Sequence, residues 1–457
     1  MTENNSNMEQ YFEELFEAVN NDNRELFREI FLTLHERDQQ ELFHLLYPEK
    51  KRKIATFLSP EEFAEIFEWM ELENQEDAVT YLPKDYIVSV FNYLPTDTLA
   101  TFVFTSQIDE IEMLLQSMDK EEFNRLQEVL SYEQETAGSI MTKEYFFIHE
   151  DDTPQTIIEN IRSFGERAET IYYLYVVDKL HRLVGVLSLR DLLLAPVDKP
   201  ISEVMSTLVI SVFVSEDQEK VANIIQDYDL IAIPVITNDQ RLVGIITVDD
   251  IMDILEQEAT EDFQEFAGIS TTKTTEPLEE ESAFAAAKKR SPWIVILLFL
   301  SMITGGLINF FEGTLASVVS LAAFIPLIMG AAGNVGTQSL AVAVRNMNID
   351  DEDSQDLAHV LKVEAETGAL IGSIAGVIIF FLVGILYRDF MLAFIVGVSI
   401  FISITVAAVI GTLIPDIIQK MNFDPAVASG PFITTINDTL GLLIYFLIAT
   451  SLLNFIS

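Results

Sequence analysis

Five long apolar stretches follow Pro292, and they constrain the fold of this chain more than any other feature. They lie at about residues 292–311, 316–344, 364–387, 391–415 and 426–456. Each is long enough to cross a hydrocarbon core about 30 Å thick as a helix. Because only helices and closed barrels satisfy their backbone hydrogen bonds in lipid, we predict an all-α polytopic membrane domain of five transmembrane helices over residues 291–457.

The region before these stretches is strongly acidic. Residues 1–290 carry 60 acidic and 23 basic side chains, against 12 and 4 in residues 291–457, for a formal net charge of −45. Such a field repels nucleic acid and attracts cations, so we expect no nucleic-acid partner. An acidic surface that only keeps helices soluble is an equal alternative. The chain has no cysteine, which excludes disulfides and thiolate metal sites.

An apolar residue recurs every twelve positions through the first third of the chain. Several of these residues precede helix-start sequences, such as LSPEE and LPKD, where Pro and acidic residues suit a first helical turn. The register predicts short helices stacked as an α-helical solenoid over residues 1–136, a typical interaction scaffold. It is kept at Leu34, Leu46, Leu58, Met70, Leu82, Leu94, Met118 and Leu130, and Ser106 breaks it.

Residues from about 138 to 255 form a tandem repeat of another kind. The first copy contains RLVGVLSLRDLL, from Arg182, and the second contains the similar RLVGIITVDDIM, from Arg241. Met141 of the first copy matches Met205 of the second. Each copy reads as an extended segment, a helix, two strands, and a helix that begins with Ser or Thr. This pattern resembles an α/β CBS-domain pair, at 137–200 and 201–262.

The CBS resemblance implies an adenine-nucleotide ligand such as ATP. The ribose contacts of that family would fall on Ser188 with Asp191, and on Thr247 with Asp250. Both pairs also fit helix-capping boxes, which need no ligand. The residues alone leave the two interpretations equal.

Acidic side chains then cluster in DDIMDILEQEATED, residues 249–262. Helical spacing places Asp250 beside Asp253, and Glu258 beside Glu261 and Asp262, where like charges destabilise the helix. A divalent cation would relieve this repulsion, and a solvated acidic helix is the alternative. Residues 263–290 then read as a connecting segment ending in KKR, which by the positive-inside rule holds the soluble region in the cytoplasm. No signal peptide opens the chain, and an odd number of spans puts the C-terminus outside the cell membrane.

Polar side chains interrupt two of the apolar stretches. Asn334 and Gln338, four residues apart, share one face of the second span, as is permitted where a helix lines a water-filled path. In the fifth span Asp438 costs about 2.5 to 3.5 kcal/mol in lipid, so it predicts a cation site, with Thr434 nearby as a further oxygen ligand. The same stretch contains Pro431, which we expect to release a backbone carbonyl inside the helix. Counted from Pro425, Asp438 would lie about 20 Å along the span.

The motifs PLIMGAAGNVGTQS and DPAVASGPFITTINDTLGLLIYF, in this order behind a CBS pair, resemble the MgtE family of magnesium channels or transporters. The resemblance implies a homodimer in the lipid membrane, with a pore between protomers and a plug helix at 263–290. Asp438 would be its pore aspartate and Asp424 its cytoplasmic-end aspartate, while Gly430 stands where some members have Asn. Sensing carboxylates that bind cytosolic Mg²⁺ would fall on Asp217, Asp229, Asp250, Asp253, Glu258, Glu261 and Asp262.

The sequence therefore predicts magnesium transport through a dimeric pore that cytosolic Mg²⁺ closes. Mg²⁺ sheds its waters reluctantly, so a pore with few carboxylates, near Asp438, Thr434 and Asn334, suits the hydrated ion. Transport of Mn²⁺ or Co²⁺ and a non-transporting membrane sensor are the alternatives. We do not expect an enzyme, because all five histidines lie outside the predicted spans and HExxH is absent.

Overall fold

The computed structural model describes residues 2–106, 108, 110–164, 168–270, 282–347, 357–421 and 424–456. The chain divides into two compact units, residues 1–255 and 256–457. The predicted connecting segment falls partly outside the described residues, at 271–281.

Short helices build the N-terminal part of the first unit, as the twelve-residue register predicts. Four of the register residues, Leu46, Leu58, Leu82 and Met70, directly follow or cap a helix and are at most 5% exposed. The next helix starts at once: Ser59 and Glu62 form a reciprocal capping box. The helices are α1 (Thr2–Asn20), α2 (Arg24–Phe31), α3 (Glu36–Leu45), α4 (Pro48–Phe57), α5 (Pro60–Glu68), α6 (Leu72–Tyr81), α7 (Lys84–Phe91), α8 (Thr96–Thr105), α9 (Ile111–Leu115) and α10 (Lys120–Leu130).

The two CBS copies follow with the predicted order of elements. A short helix, α11 (Ala137–Ile140), leads into β1 (Phe147–His149), α12 (Pro154–Phe164), β2 (Tyr173–Val177), β3 (Leu183–Ser188) and α13 (Leu189–Leu194). The second copy contains β4 (Val212–Phe213), α14 (Gln218–Asp227), β5 (Ala232–Ile236), β6 (Leu242–Thr247) and α15 (Val248–Phe266). In each three-stranded sheet the first strand is parallel to the middle one and the third is antiparallel.

The methionines and glycines that recur in the two CBS copies contact each other across the pair. A Cβ built on Gly244 would lie 2.6 Å from Sδ of Met141, so the start of the first copy packs on the second. Met205 of the second copy packs in the same way on Gly185 of the first. Each copy therefore completes the other, and only glycine fits at the two contacts.

The second unit contains the five apolar helices that the sequence predicts, each long and apolar enough to cross a membrane. Its helices are α16 (Ala283–Phe310), α17 (Glu312–Ser317), α18 (Ile325–Met347), α19 (Leu357–Tyr387), α20 (Phe390–Lys420) and α21 (Gly430–Ile456). Single 3₁₀ segments, Val319–Phe324 and Pro425–Val427, precede α18 and α21.

Helix α20 is the most enclosed of these five and α16 the least. Close approach of α18 to α20 depends on glycine, because a Cβ on Gly411 would overlap the carbonyl oxygen of Gly336. Helix α21 packs on α18 and α20, and α16 packs on α21. This arrangement places the polar motifs of α18 and α21 against each other.

Candidate cation site

The carboxylate of Asp438 faces α18 across a gap that glycine leaves open. A Cβ on Gly333 would lie 2.7 Å from both Oδ1 of Asp438 and Cγ2 of Thr434. Oδ1 of Asp438 is buried and accepts no hydrogen bond from the described residues. A buried oxygen of this kind is normally satisfied by a donor, water or a cation, so Oδ1 of Asp438 is a candidate cation ligand.

Thr434 lies one turn before Asp438 and joins the two helices. Its hydroxyl lies 2.9 Å from the carbonyl oxygen of Gly430 and 2.9 Å from Oγ1 of Thr337. Asn334 and Gln338 are both exposed on α18, as their four-residue spacing predicts for one face. Two amides and one carboxylate therefore lie at or near a surface of the bundle.

Two expectations about this region were wrong. Pro431 is the second residue of α21, so it occupies a helix start, where its missing N–H releases no interior carbonyl. Helix α21 begins at Gly430 rather than near Pro425, and Asp438 therefore lies only about 12 Å along it. The 3₁₀ segment Pro425–Val427 takes up the residues that we counted as helix.

Asp424, at the cytoplasmic end in the predicted topology, has an acidic neighbour that the sequence did not indicate. The pKa of Glu265 is raised to about 7, mainly by burial, and the carboxylate of Asp424 contributes to this shift. The end of α15 reaches the first turn of α21 here, since a Cβ on Gly430 would lie 3.4 Å from the carbonyl oxygen of Phe266. Asp424 and Glu265 thus share one acidic patch beside this helix end.

The predicted sensing carboxylates occupy three places. Asp250, Asp253, Glu258, Glu261 and Asp262 all lie on α15, as the spacing requires. Asp217 caps α14 by accepting the N–H of Glu219 at 2.9 Å, and Asp229 follows the same helix with a φ of 50°. No group of three or more acidic or histidine side chains in the described ranges is arranged to hold a metal ion directly. Carboxylates that act through a hydrated ion need not converge so closely.

The sequence did not predict a role for one buried acid in the helical repeats. Asp97, in the first turn of α8, is 8% exposed, and its Oδ1 has no hydrogen-bond partner among the described residues. Burial holds the pKa of Asp97 well above its usual range, and Asp250, Glu169 and Glu144 raise it further. These acids come from the CBS copies, so no local pattern around Asp97 could have identified them.

Glu68 and Glu169 belong to the same group of acids as Asp97 and Asp250. Desolvation raises the pKa of Glu68 to about 7, with Asp250 and Asp249 adding to the shift. Desolvation likewise raises the pKa of Glu169 to about 7, with Glu68 and Asp250 as the leading charged neighbours. Because a raised carboxyl pKa means that the folded state binds more protons, stability should fall as pH rises from about 4.5 to 7.

We expect Asp97→Asn to raise the melting temperature at pH 8 in EDTA, because it removes the charge of a buried carboxyl group that lies among other acids, a destabilisation of about 1–3 kcal/mol. The same change should reduce the extra stability that Mg²⁺ gives. Thermal unfolding followed by circular dichroism, with and without Mg²⁺, measures both effects. Asp85→Asn, an exposed acid in the first turn of α7, is the control and should change neither. An unchanged or lower melting temperature for Asp97→Asn in EDTA would contradict the assignment.

Both proposed ribose pairs make capping contacts. Ser188 caps α13 by accepting the N–H of Asp191 at 3.0 Å, and its hydroxyl donates to Oδ2 of Asp191 at 2.6 Å. The hydroxyl of Thr247 donates to Oδ2 of Asp250 at 2.5 Å. These contacts satisfy the capping interpretation and leave the nucleotide interpretation as a prediction.

Comparison with known protein families matches all three regions. Residues 325–448 match the MgtE model, described as a divalent cation transporter, residues 34–135 match the MgtE intracellular N domain, and residues 137–198 and 201–257 match the CBS domain. A magnesium transporter MgtE of Enterococcus faecalis is 40% identical over 450 residues, covering 98% of each chain. The predicted resemblance is confirmed.

Two solved structures resemble the cytosolic part. The crystal structure of the soluble part of a magnesium transporter is 37% identical, with a TM-score of 0.53, and covers 55% of this chain and 99% of its own. The cytosolic domain of the Mg²⁺ channel MgtE in complex with ATP is 33% identical, with a TM-score of 0.50, and covers 53% and 99%.

Proposed function

Because this chain belongs to the MgtE family of magnesium transporters, we propose that it carries Mg²⁺ through a pore between two copies and that cytosolic Mg²⁺ closes this pore. The observation that carries the proposal is Asp438, a carboxylate within a membrane-spanning helix, whose Oδ1 accepts no hydrogen bond from the described residues. A charge in this position is costly, and a divalent cation offsets the cost.

The chemistry of the site suits a hydrated Mg²⁺ ion. Mg²⁺ prefers oxygen ligands in an octahedron and keeps several of its waters. One carboxylate from Asp438, the hydroxyl of Thr434 and the amide oxygen of Asn334 offer oxygens for those waters to contact. Two copies facing each other would double this set, and without a cation their paired carboxylates would repel.

The exposed polar face of α18 supports a second copy. Asn334 and Gln338 would face lipid in an isolated chain, and polar groups are rarely placed there. A partner that presents the same face by twofold symmetry would cover them and enclose a polar path. The homodimer therefore supplies the second wall of the pore.

Closure by cytosolic Mg²⁺ is supported by the carboxylates outside the membrane. Glu68, Asp97 and Glu169 are destabilised by neighbouring carboxylates, with the predicted sensing acid Asp250 among them, and a divalent ion would screen this repulsion. Mg²⁺ stabilises the compact state by its excess affinity for that state. The proposed plug, residues 263–290, includes Phe266, and the contact of Phe266 with the first turn of α21 supports this role.

We extend the proposal to ATP and to topology. The ATP-bound relative supports a nucleotide at the CBS pair, with Ser188, Asp191, Thr247 and Asp250 as candidate contacts. Lysines and arginine at 288–290, at the start of α16, hold the N-terminal domains in the cytoplasm. Five spans then place the C-terminus outside the cell.

Other divalent cations are the second candidate, since oxygen ligands also accept Mn²⁺ or Co²⁺ and the matched family model is described by divalent cations in general. A sensor that does not transport would have no use for Asp438 within the membrane. Whether Mn²⁺ or Co²⁺ competes with Mg²⁺ flux tests the first alternative. Measurable Mg²⁺ flux excludes the non-transporting sensor.

The dimeric pore predicts that position 334 lies near its copy in the partner. Since the chain has no cysteine, Asn334→Cys introduces the only thiol in the chain. A short bifunctional thiol reagent applied to membranes should convert most of this variant to a covalent dimer on a denaturing gel. Ile385→Cys, a 74% exposed position on α19, is the control and should remain monomeric. Equal cross-linking at the two positions, or none at 334, would argue against the pore between protomers.

A further inference from the structure

Helix α16 is the least enclosed of the five apolar helices, and its single buried side chain is polar. Of residues 283–310, all of which are described, only Thr304 is buried, with 8% exposure. Its Oγ1 lies 2.6 Å from Oγ1 of Thr439 on α21. α16 also contacts α21 through the rings of Trp293 and Phe432, whose centroids lie 6.5 Å apart, and the hydroxyl pair is its buried polar contact with α21.

The direction of this hydrogen bond follows from the number of protons. The Thr439 hydroxyl has one proton, and it donates this proton to the carbonyl oxygen of Thr435 at 2.9 Å. Thr304 must then be the donor to Oγ1 of Thr439. Removing either hydroxyl breaks the contact between the helices, but only Thr439 also contacts the backbone of its own helix.

This contact lies directly beside the proposed ion ligand. Asp438 precedes Thr439, and on its other side Asn437 is 1% exposed. A Cβ on Gly336 would lie 2.9 Å from Cγ of Asn437, so this amide packs tightly on α18. Both neighbours of Asp438 thus contact other helices, whereas Oδ1 of Asp438 accepts no hydrogen bond from the described residues. The rotation of α21 at this turn determines where the carboxylate points.

We propose that Thr304 and Thr439 are positioning residues, through which α16 sets the orientation of Asp438 for the passing ion. The proposal rests on the pore function of Asp438. It also gives α16 a role beyond anchoring, because this helix leads into the membrane from the cytosolic side, where its Lys289 carbonyl accepts the N–H of Ser270 at 3.1 Å.

The chain contains a matched control. Thr314, in α17, lies 2.8 Å from Thr450 of α21 through the same pair of hydroxyl groups. Thr450 is eleven residues beyond Thr439, about 16 Å further along the helix and remote from Asp438. A loss of bundle stability alone would affect both pairs alike, whereas positioning of Asp438 involves only the first.

The test measures dye-reported Mg²⁺ flux in liposomes against the external Mg²⁺ concentration. We expect Thr439→Val and Thr304→Val each to raise the half-saturating concentration about threefold, the effect of one average interhelical hydrogen bond in a membrane protein, with a smaller change in maximal flux. The double variant should be no worse than either single one, since both break the same contact. Thr439→Ser, which keeps the hydroxyl, should restore the wild-type value, and Thr450→Val should not shift it.

Wild-type half-saturation in Thr439→Val, an equal shift in Thr450→Val, or no recovery with Thr439→Ser would overturn the positioning role. Failure of the pore proposal has a different signature, because Asp438→Asn would then retain full flux. Comparable thermal unfolding of Thr439→Val and Thr450→Val confirms that both variants fold and that the flux values can be compared.

Discussion

Asp438→Asn is expected to lower Mg²⁺ flux through reconstituted protein by at least about 100-fold. The amide keeps the shape of the side chain but removes the charge, and a hydrogen bond to a charged group contributes about 1.5–3 kcal/mol. In a dimer both copies lose this contribution at once. The flux of Mg²⁺ into liposomes, normalised to the amount of folded protein, measures the loss.

A second membrane-domain carboxylate provides the control for this change. Asp416 on α20 pairs with Lys420 at 2.8 Å and contacts neither α18 nor α21 in any described hydrogen bond or ion pair. Asp416→Asn should therefore leave flux within about twofold of wild type, as expected for an ion pair whose lysine is exposed. Equal loss in both variants would indicate that any carboxylate in the bundle is needed for folding, and Asp438 would lose its special role.

Gly411→Ala is expected to destabilise the membrane domain by at least about 3 kcal/mol, at the upper end for an overpacked core. The added methyl would overlap the backbone oxygen of Gly336 and lie 3.1 Å from Cβ of Ser339. A backbone atom cannot rotate away as a side chain can, so α18 and α20 must separate. Because α18 carries Asn334 and Gly333, flux should be lost together with stability. Thermal unfolding in detergent, monitored by loss of monodisperse protein, measures the effect.

Gly330→Ala tests whether the effect at Gly411 depends on contact rather than on glycine itself. Gly330 lies on α18, and a Cβ there would meet nothing within 4 Å. Alanine is the better helix former, so this variant should be as stable as wild type or slightly more so. A tolerated Gly411→Ala would mean that the two helices are farther apart than described.

Most of the fold was predictable because it repeats. The spacing of Leu46, Leu58 and Leu82 predicts the stacked helices, since each residue closes one helix just before the next begins. The matched Met141 and Gly244 predict paired CBS copies, although only the structure shows that they touch. The apolar stretches predict the five spans, because length and hydropathy are sufficient for that purpose.

The site was only partly predictable, because its key contacts join distant parts of the chain. Asp438 is conspicuous in an apolar stretch, but Asp97 reads as an ordinary first-turn acid until Glu144 and Asp250 are brought beside it. Glu265 near Asp424 was missed for the same reason. The start of α21 was placed too early because Pro425 is as compatible with a 3₁₀ turn as with a first helical turn.

Mg²⁺ entry into liposomes that hold the purified wild-type protein is the most direct measurement, at micromolar and at millimolar Mg²⁺ on the cytosolic face. We expect rapid entry at the low concentration and little entry at the high one, with no entry at either through Asp438→Asn. Wild-type vesicles no more permeable to Mg²⁺ than protein-free vesicles would contradict transport. An equal rate of Mg²⁺ entry at the two cytosolic Mg²⁺ concentrations would contradict closure by the carboxylates outside the membrane.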